Sequence, residues 1–473
     1  MAIKYEVKKT RGHRKVPYTL VKLDTTKATE HTNFSIMEPG IGSIKPIIVT
    51  INPGSTSTKI AIWNGNDLIE TRDISHDKED WIKLSIKDQK TYRADIVAKT
   101  IQEIMKEHNL NEKYVSAVVG RGGLMRPVKS GAYWINKKML NDLENEFCGK
   151  HASNLGAIIA YEVGEMFNVP ENRRLVFNPV VVDEMDDEAR ISGSPIIPIP
   201  SRFHALNTKE VGDIAAKNEG KEYKDMNMVI AHLGGGTSIC SHLYGQVIDV
   251  NLNALGGMIT PNRSNISIDL LVEYAFGEAE RNLLHAFEIA KNDLFILNNC
   301  MDFANCNTPI QPSLDDTKNK ILKMIAGNGG VLAMLGTSDI EAITAMVYQE
   351  VTALNEIAID DKHRKAYEIL FAQEFENIKN VYNAYIRSIT KGIYSAKGII
   401  EGSYDDNVDI VILTGGVAFN NYITNEIIEQ NYKIVNDGGK FYVVPGEDEM
   451  TALAKGAITI LEGAEPMEYY PTG

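Results

Sequence analysis

The sequence predicts an α/β protein of two domains in which one strand–turn–strand plan is used twice. At 473 residues the chain is too long for a single hydrophobic core. Apolar strand-like runs alternate with helical patterns at 94–108, 156–167 and 341–357. A glycine-rich turn between such runs recurs at an offset of 180 residues.

Residues 1–45 form a basic segment in an acidic chain; 18–24 reads as a short strand and EPGIGSIKP as a linker. The first firm strand is 46–51, followed by the polar turn Asn52-Pro53-Gly54-Ser55-Thr56-Ser57-Thr58. A second strand, 59–63, leads through Asn64-Gly65 to a third, 67–71, and Asn-Gly between apolar runs is a hairpin signal. The plan returns with strand 228–231, turn His232-Leu233-Gly234-Gly235-Gly236-Thr237-Ser238, strand 239–244 and strand 247–250. Gly54 aligns with Gly234, Ser57 with Thr237, Thr58 with Ser238 and Gly65 with Gly245, without a gap. A further apolar strand, 408–413, runs into Thr414-Gly415-Gly416-Val417-Ala418.

Composition is that of an ordinary globular protein, 44% hydrophobic and 24% charged. The formal charge of −14 disfavours a nucleic-acid partner, since it repels phosphodiester backbones. No apolar run approaches the roughly 18 residues that span a bilayer, and the first residues lack the apolar stretch of a secretory signal. The four cysteines, Cys148, Cys240, Cys300 and Cys306, have no C-x-x-C spacing. Reduced thiols and a cytoplasmic location are expected, with no zinc site.

Both turns combine small residues, which let backbone N–H groups approach anionic oxygens, with hydroxyl donors at a hairpin tip. Neither leads into a helix, so neither is a Walker A loop or a Rossmann fingerprint. They read as phosphate-binding hairpins.

The segments INPGSTSTKIAIW (51–63), HASNLGA (151–157), NPVVVDEM (178–185), FHALN (203–207), AHLGGGTS (231–238), LTGGVA (413–418) and PGEDEM (445–450) together resemble the butyrate kinases. These belong to the acetate kinase family, within the actin-like ATPase and sugar kinase superfamily. The resemblance implies two domains of duplicated βββαβαβα, ribonuclease H-like fold, with ATP and a short-chain fatty acid in the interdomain cleft. It places the first domain at 46–183, completed by a C-terminal helix near 450–465. The nucleotide-binding domain is then 184–449, with an insertion at about 285–316, and 1–45 is an extension. A homodimer or larger homo-oligomer is implied as well.

The resemblance also distributes roles. Arg121 matches the arginine that holds the acid's carboxylate, Arg263 the one on the transferring phosphoryl group, and His204 a histidine that donates to it. Asp183, which follows the apolar run 180–182 that reads as a strand, matches the catalytic-site aspartate, and His151 a substrate-site histidine if one gap is allowed. Nucleotide and phosphate contacts fall on Gly54, Ser55, Thr56, Ser57, Thr58 and Lys59. In the second half they fall on His232, Gly234, Gly235, Gly236, Thr237, Ser338, Asp339, Gly415, Gly416 and Val417. Mg²⁺ is implied as cofactor, with Asn52 and either Asp448 or Glu449 as ligands.

The residues suit that chemistry. A carboxylate is already ionised near neutral pH and needs no base before attacking; the obstacle is repulsion between two anions. Guanidinium forks match carboxylate and phosphate oxygens, so catalysis rests on charge and alignment. Other readings are an acetate or propionate kinase of the same family, an actin-like ATPase that makes no acyl phosphate, or a silent paralogue. The set Arg121, His204 and Arg263 separates the first from the last two. Arg263→Ala is predicted to cut turnover by roughly 10²–10⁴-fold with folding intact. Near-normal kcat with correct circular dichroism would remove Arg263 from the mechanism.

Overall fold

The computed structural model describes residues 2–5, 18–22, 36–38, 42–54, 56–76, 86–149, 151–192, 199–251, 260–261, 327–431 and 440–469. The chain divides into two compact units. The first-turn unit comprises Asp24–Glu222, Gln246–Ile248 and Glu447–Gly473. The second-turn unit comprises Met1–Leu23, Tyr223–Gly245 and Asp249–Gly446.

Apart from a separate two-stranded sheet of Ile36–Glu38 and Gly42–Ile44, each unit is built on a seven-stranded sheet. One runs Met467–Glu468, Ala132–Trp134, Arg174–Phe177, Val115–Gly120, Ile47–Pro53, Ser57–Asn64, Asp67–Ser75. The other runs Ala2–Tyr5, Tyr18–Lys22, Lys440–Pro445, Ile410–Gly415, Met228–Leu233, Thr237–Leu243, Gln246–Asn251. Numbering five core strands of each in chain order gives the same succession, 3-2-1-4-5. In both, strand 1 pairs antiparallel with strand 2 and parallel with strand 4. The repeat in the sequence is thus a repeat in topology, and the α/β, duplicated fold is what the structure has.

Burial explains which strands are central. Ile47–Pro53, Val115–Gly120, Met228–Leu233 and Ile410–Gly415 are buried at nearly every position, as strands covered on both faces must be. Asp67–Ser75 is nowhere fully buried, as befits a sheet edge. In the first-turn unit the last helix, Glu449–Leu461, packs Leu453 and Ala457 with Ile48, Trp63, Val119 and Leu175. The helices Ile86–Glu107 and Asn154–Met166 contribute Ile101, Ile104, Ile158 and Ile159 to the other cluster.

Three local expectations are corrected. The apolar run 180–182 is a turn ending in a single bridge, Val128 to Val182; the strand lies earlier, at Arg174–Phe177. Pro179 lacks the N–H that would continue the ladder, and Asn178 adopts φ +39°. The helical pattern 341–357 yields a helix only over Ile340–Val347, because Gln349 turns left-handed at φ +59°. Within the basic segment, Tyr18–Lys22 pairs parallel with Lys440–Pro445, and Ala2–Tyr5 pairs antiparallel with Tyr18–Lys22. These residues are sheet strands of the second-turn unit.

One contact positions the site. A Cβ on Gly120 would lie 2.1 Å from the Gly156 carbonyl oxygen, and one on Gly156 the same distance from that of Arg121. The helix Asn154–Met166 therefore sits directly on the strand end that carries Arg121. Gly156→Ala is predicted to destabilise the protein by about 1–3 kcal/mol, the scale of forced overpacking. An unchanged urea midpoint would show that the contact can open without cost.

Candidate active site

Arg121 follows the strand Val115–Gly120, and its N–H continues the parallel ladder to the Ile51 carbonyl at 2.9 Å. Its side chain meets Glu449: Nη2 lies 2.9 Å from Oε1 and Nη1 3.0 Å from Oε2, a bidentate pair. Asn52 joins them, donating from Nδ2 to Glu449 Oε2 at 2.5 Å and accepting from Arg121 Nη1 at 3.4 Å. Glu449 is 8% exposed. Arg121 Nε is buried and finds no acceptor among the described residues. Asp448 is exposed and spends Oδ1 on the Thr451 N–H, capping the helix that Glu449 begins.

The first turn closes by a hydrogen bond from Gly54 N–H to the Ser57 carbonyl at 2.8 Å. Arg93, almost fully buried, donates to the Gly54 carbonyl at 2.9 Å. Burial lowers its pKa. A guanidinium still keeps its proton at neutral pH, so a positive charge stands behind the turn. Thr58 Oγ1 is 2.8 Å from His76 Nε2 within the protein, and the Thr56 carbonyl accepts from the His76 N–H. Lys59 is exposed, 4.0 Å from Asp73.

Asp183 lies elsewhere in its partnerships, bound by Arg190 Nη1 at 2.5 Å. Arg190 also donates from Nη2 to the Met185 carbonyl at 2.7 Å. The hydrogen bond to Asp183, opposed by burial, raises the Arg190 pKa. Next in sequence, Glu184 is buried against Lys209 at 2.7 Å and accepts from Ser130 Oγ and the Val247 N–H. His204 is half-buried and is the N-terminal flanking residue of the helix Ala205–Asn218, which carries Lys209. His151 is exposed, with Nδ1 2.7 Å from Ser153 Oγ.

In the second-turn unit Gly234, Gly235, Ser338, Asp339, Gly416 and Val417 line one cavity of about 290 Å³. Pro261, Ile340, Glu341 and Asn420 complete its walls. Gly234 N–H binds the Gly236 carbonyl at 3.0 Å, and Thr260 Oγ1 holds the Gly235 carbonyl at 2.8 Å. Gly415 has φ +87°, and a Cβ there would lie 2.5 Å from the Leu233 carbonyl oxygen, so only glycine fits. His232 is fully buried in its strand, in register with Ser238 and Thr414. Thr237 is buried too, and its Oγ1 has no partner among the described residues.

No family model matches the chain. Curated relatives do. Butyrate kinase 2 of Clostridium acetobutylicum is 36% identical over 427 residues, covering 89% of this chain and 99% of its own. Butyrate kinase 1 of the same organism is 34% identical over 426 residues, with the same coverage. The chain belongs to the butyrate kinase family. It is accordingly a phosphotransferase with a carboxyl group as acceptor. Among solved structures, acetate kinase of Porphyromonas gingivalis covers 88% of the chain and 100% of its own at TM-score 0.60 and 15% identity. A propionate kinase of Francisella tularensis covers 87% and 98% at TM-score 0.56 and 15% identity. Those likenesses concern the fold.

In this kinase Asn52, Arg121 and Glu449 meet in one cluster, and six of the expected nucleotide contacts line one cavity. Asp183 pairs with Arg190 and His151 with Ser153, apart from that cluster, and His204 flanks the helix Ala205–Asn218. Ser55, Arg263 and the insertion 285–316 lie outside the described residues. The sequence reading missed Arg93, Glu184 with Lys209, Arg190 and Glu341. Only Glu184, beside Asp183, carried any local hint.

Glu184 brackets the site mechanically, tying the Asp183 segment to the helix that His204 begins. Burial opposes its ionisation. The Lys209 charge and hydrogen bonds from Lys209, Ser130 and Val247 outweigh it and hold the carboxyl below its ordinary range. A depressed folded-state pKa stabilises above the unfolded value, near 4.3, and that contribution fades as pH falls through the folded value. Glu184→Gln is predicted to lose about 3 kcal/mol at neutral pH, the scale of breaking a buried pair. The gap to wild type should narrow in acid. Urea midpoints against pH test this, and a gap constant into strong acid would assign the loss to packing alone.

Proposed function

We propose that this kinase transfers the γ-phosphoryl group of ATP to the carboxylate of butyrate, or of a short or branched analogue, in a single in-line displacement. A carboxylate oxygen forms a bond to the γ-phosphorus while the bond to the β,γ-bridging oxygen breaks. The products are an acyl phosphate and ADP. The observation that carries the reading is Arg121: a guanidinium at a parallel strand end, bidentate to a carboxylate, with a buried Nε–H that lacks an acceptor among the described residues.

Arg121 binds the acid through the same fork that Glu449 occupies, so acid binding and the Arg121–Glu449 pair compete. The cavity lined by Gly234, Gly235 and Gly416 takes the nucleotide, with Asp339 toward the ribose. Arg263 and His204 stabilise charge on the transferring group. Asp183, held by Arg190, orients rather than abstracts, because the acid has no proton to lose. His151 contacts substrate.

Mg²⁺ favours hard oxygens, keeps several waters, and usually takes one or two protein ligands beside phosphate. Glu449 and Asn52 supply a carboxylate and an amide side chain in one cluster, with the Asn52 Nδ2 on Glu449 Oε2 and its Oδ1 facing Arg121, so an Asn52 Oδ1 that turned from Arg121 would serve beside Glu449, whereas Asp448 is exposed and caps a helix. The ion, when bound, neutralises phosphate charge; Glu449 and Asn52 hold it, and Arg121 orients the acid. We place the enzyme in the cytoplasm as a homo-oligomer. No described helix is long and apolar enough to cross a membrane.

The test is hydroxylamine trapping of acyl phosphate with ATP and Mg²⁺ across acetate, propionate, butyrate and isobutyrate. Butyrate and isobutyrate should give the highest kcat/KM, and Arg121→Ala should raise KM for the acid with little change for ATP. No hydroxamate from any acid would sink the proposal; a clear preference for acetate would reassign the substrate.

A further inference from the structure

His363 sits behind two residues that line the second-turn cavity, Asp339 and Glu341. Its Nδ1 is 2.7 Å from Asp339 Oδ2, and its Nε2 is 2.7 Å from Glu341 Oε2. An ionised carboxylate only accepts hydrogen bonds, and a neutral imidazole has a single N–H. The Nδ1 contact is a hydrogen bond with Asp339, and the second carboxylate oxygen 2.7 Å from Nε2 favours the imidazolium by charge. The His363 side chain is 19% exposed and that of Asp339 23%, so solvent screens the pair only in part.

The partners are themselves fixed. Asp339 Oδ1 accepts from the Ala342 N–H at 3.0 Å, capping the helix Ile340–Val347. Glu341 Oε2 is also 3.1 Å from Lys362 Nζ. The His363 N–H is held by Asp361 Oδ1 at 2.7 Å. Tyr367, one turn into the helix Arg364–Leu370, completes the surroundings. Burial, then Asp361, Asp339, Glu350 and Glu341, keep its hydroxyl protonated. His363 is thus surrounded by Asp339, Glu341 and Asp361, with Lys362 as the neighbouring cation.

We propose that His363 is a positioning residue of the nucleotide site, whose imidazolium ties Asp339 to Glu341 and offsets their charge where a polyphosphate enters. Loss of the ring proton frees Asp339 Oδ2 from its donor and adds one unit of negative charge beside the cavity. Nucleotide affinity is therefore higher with the imidazolium than with the neutral ring. The inference rests on the reading of this cavity as the nucleotide site.

Isothermal titration of the full chain with MgADP, from about pH 6 to about pH 9, tests it. Wild-type Kd should rise roughly three- to tenfold over that range, the effect of one nearby charge on a polyphosphate. His363→Gln should bind weakly at every pH with a flat profile. His363→Arg, which keeps the charge, should bind tightly and also without pH dependence. The nucleotide's own ionisation is common to all three proteins and cancels in the comparison. A His363→Gln profile parallel to wild type, or His363→Arg binding as weakly as His363→Gln, overturns the proposal. Gly416→Val checks the underlying reading separately. A Cβ at Gly416 meets nothing within 4 Å and Gly416 lines the cavity, so valine adds bulk at the lining without a backbone clash, and circular dichroism checks that the variant is folded. Unchanged MgADP binding there would reject the cavity as the nucleotide site, whatever His363 does.

Discussion

Strands that run parallel end at the same edge of a sheet, so pairing Ile51 with Gly120 places Asn52 and Arg121 side by side. The Arg121 N–H bonded to Ile51 extends the ladder one residue past the strand and fixes where the guanidinium starts. In the other sheet, Met228–Leu233, Ile410–Gly415 and Lys440–Pro445 are parallel neighbours, and their ends deliver Gly234, Gly416 and Gly446 together. Gly415 and Gly446 exchange backbone hydrogen bonds at 3.2 and 3.0 Å, closing the gap between strand ends that a side chain would hold open. The register creates the site; the side chains furnish it.

What the sequence made legible follows from range. The glycine turns, the Asn64-Gly65 hairpin and the apolar central strands are local features, and the structure has them with strands running a residue or two further into each turn. The meeting of Asn52 with Glu449 spans 397 residues, and no spacing rule reaches that far; only resemblance to a family pointed to both. Tyr18–Lys22 looked like part of an appendage because parallel pairing with Lys440–Pro445 leaves no trace near either segment. The run 180–182 misled for the opposite reason. Its apolar residues suit a strand, but Pro179 and the left-handed Asn178 had already ended one.

An acidic protein that handles two anions must concentrate positive charge locally, and the surrounding carboxylates have to be neutralised rather than removed. Arg93 behind Gly54, Arg121 against Glu449, Arg190 against Asp183 and Lys209 against Glu184 all do this within the first-turn unit. Each carboxylate is matched by a cation whose position is set by further hydrogen bonds, such as Arg190 to the Met185 carbonyl or Ser130 to Glu184. A lysine on a flexible stem, like exposed Lys59, loses more conformational entropy for the same charge.

The two turns share a topology yet differ in what surrounds them. The first is rich in hydroxyls and backed by the buried Arg93, so a fixed positive charge stands behind its backbone. The second is nearly all glycine and opens on a cavity whose wall includes the start of the helix Ile340–Val347, where Asp339 and Glu341 lie. A wall with two carboxylates is a poor place for a polyphosphate unless their charge is answered, and within hydrogen-bond reach stand Lys362 on Glu341 and His363 on both. Of those, Lys362 is mostly exposed, so solvent screens it strongly, while the better-shielded histidine acts at short range. Duplication thus accounts for the backbone of both turns. In the proposed reading, the groups that answer phosphate charge at each turn come from outside the repeat, an arginine on a helix in one unit and a histidine ahead of a helix in the other.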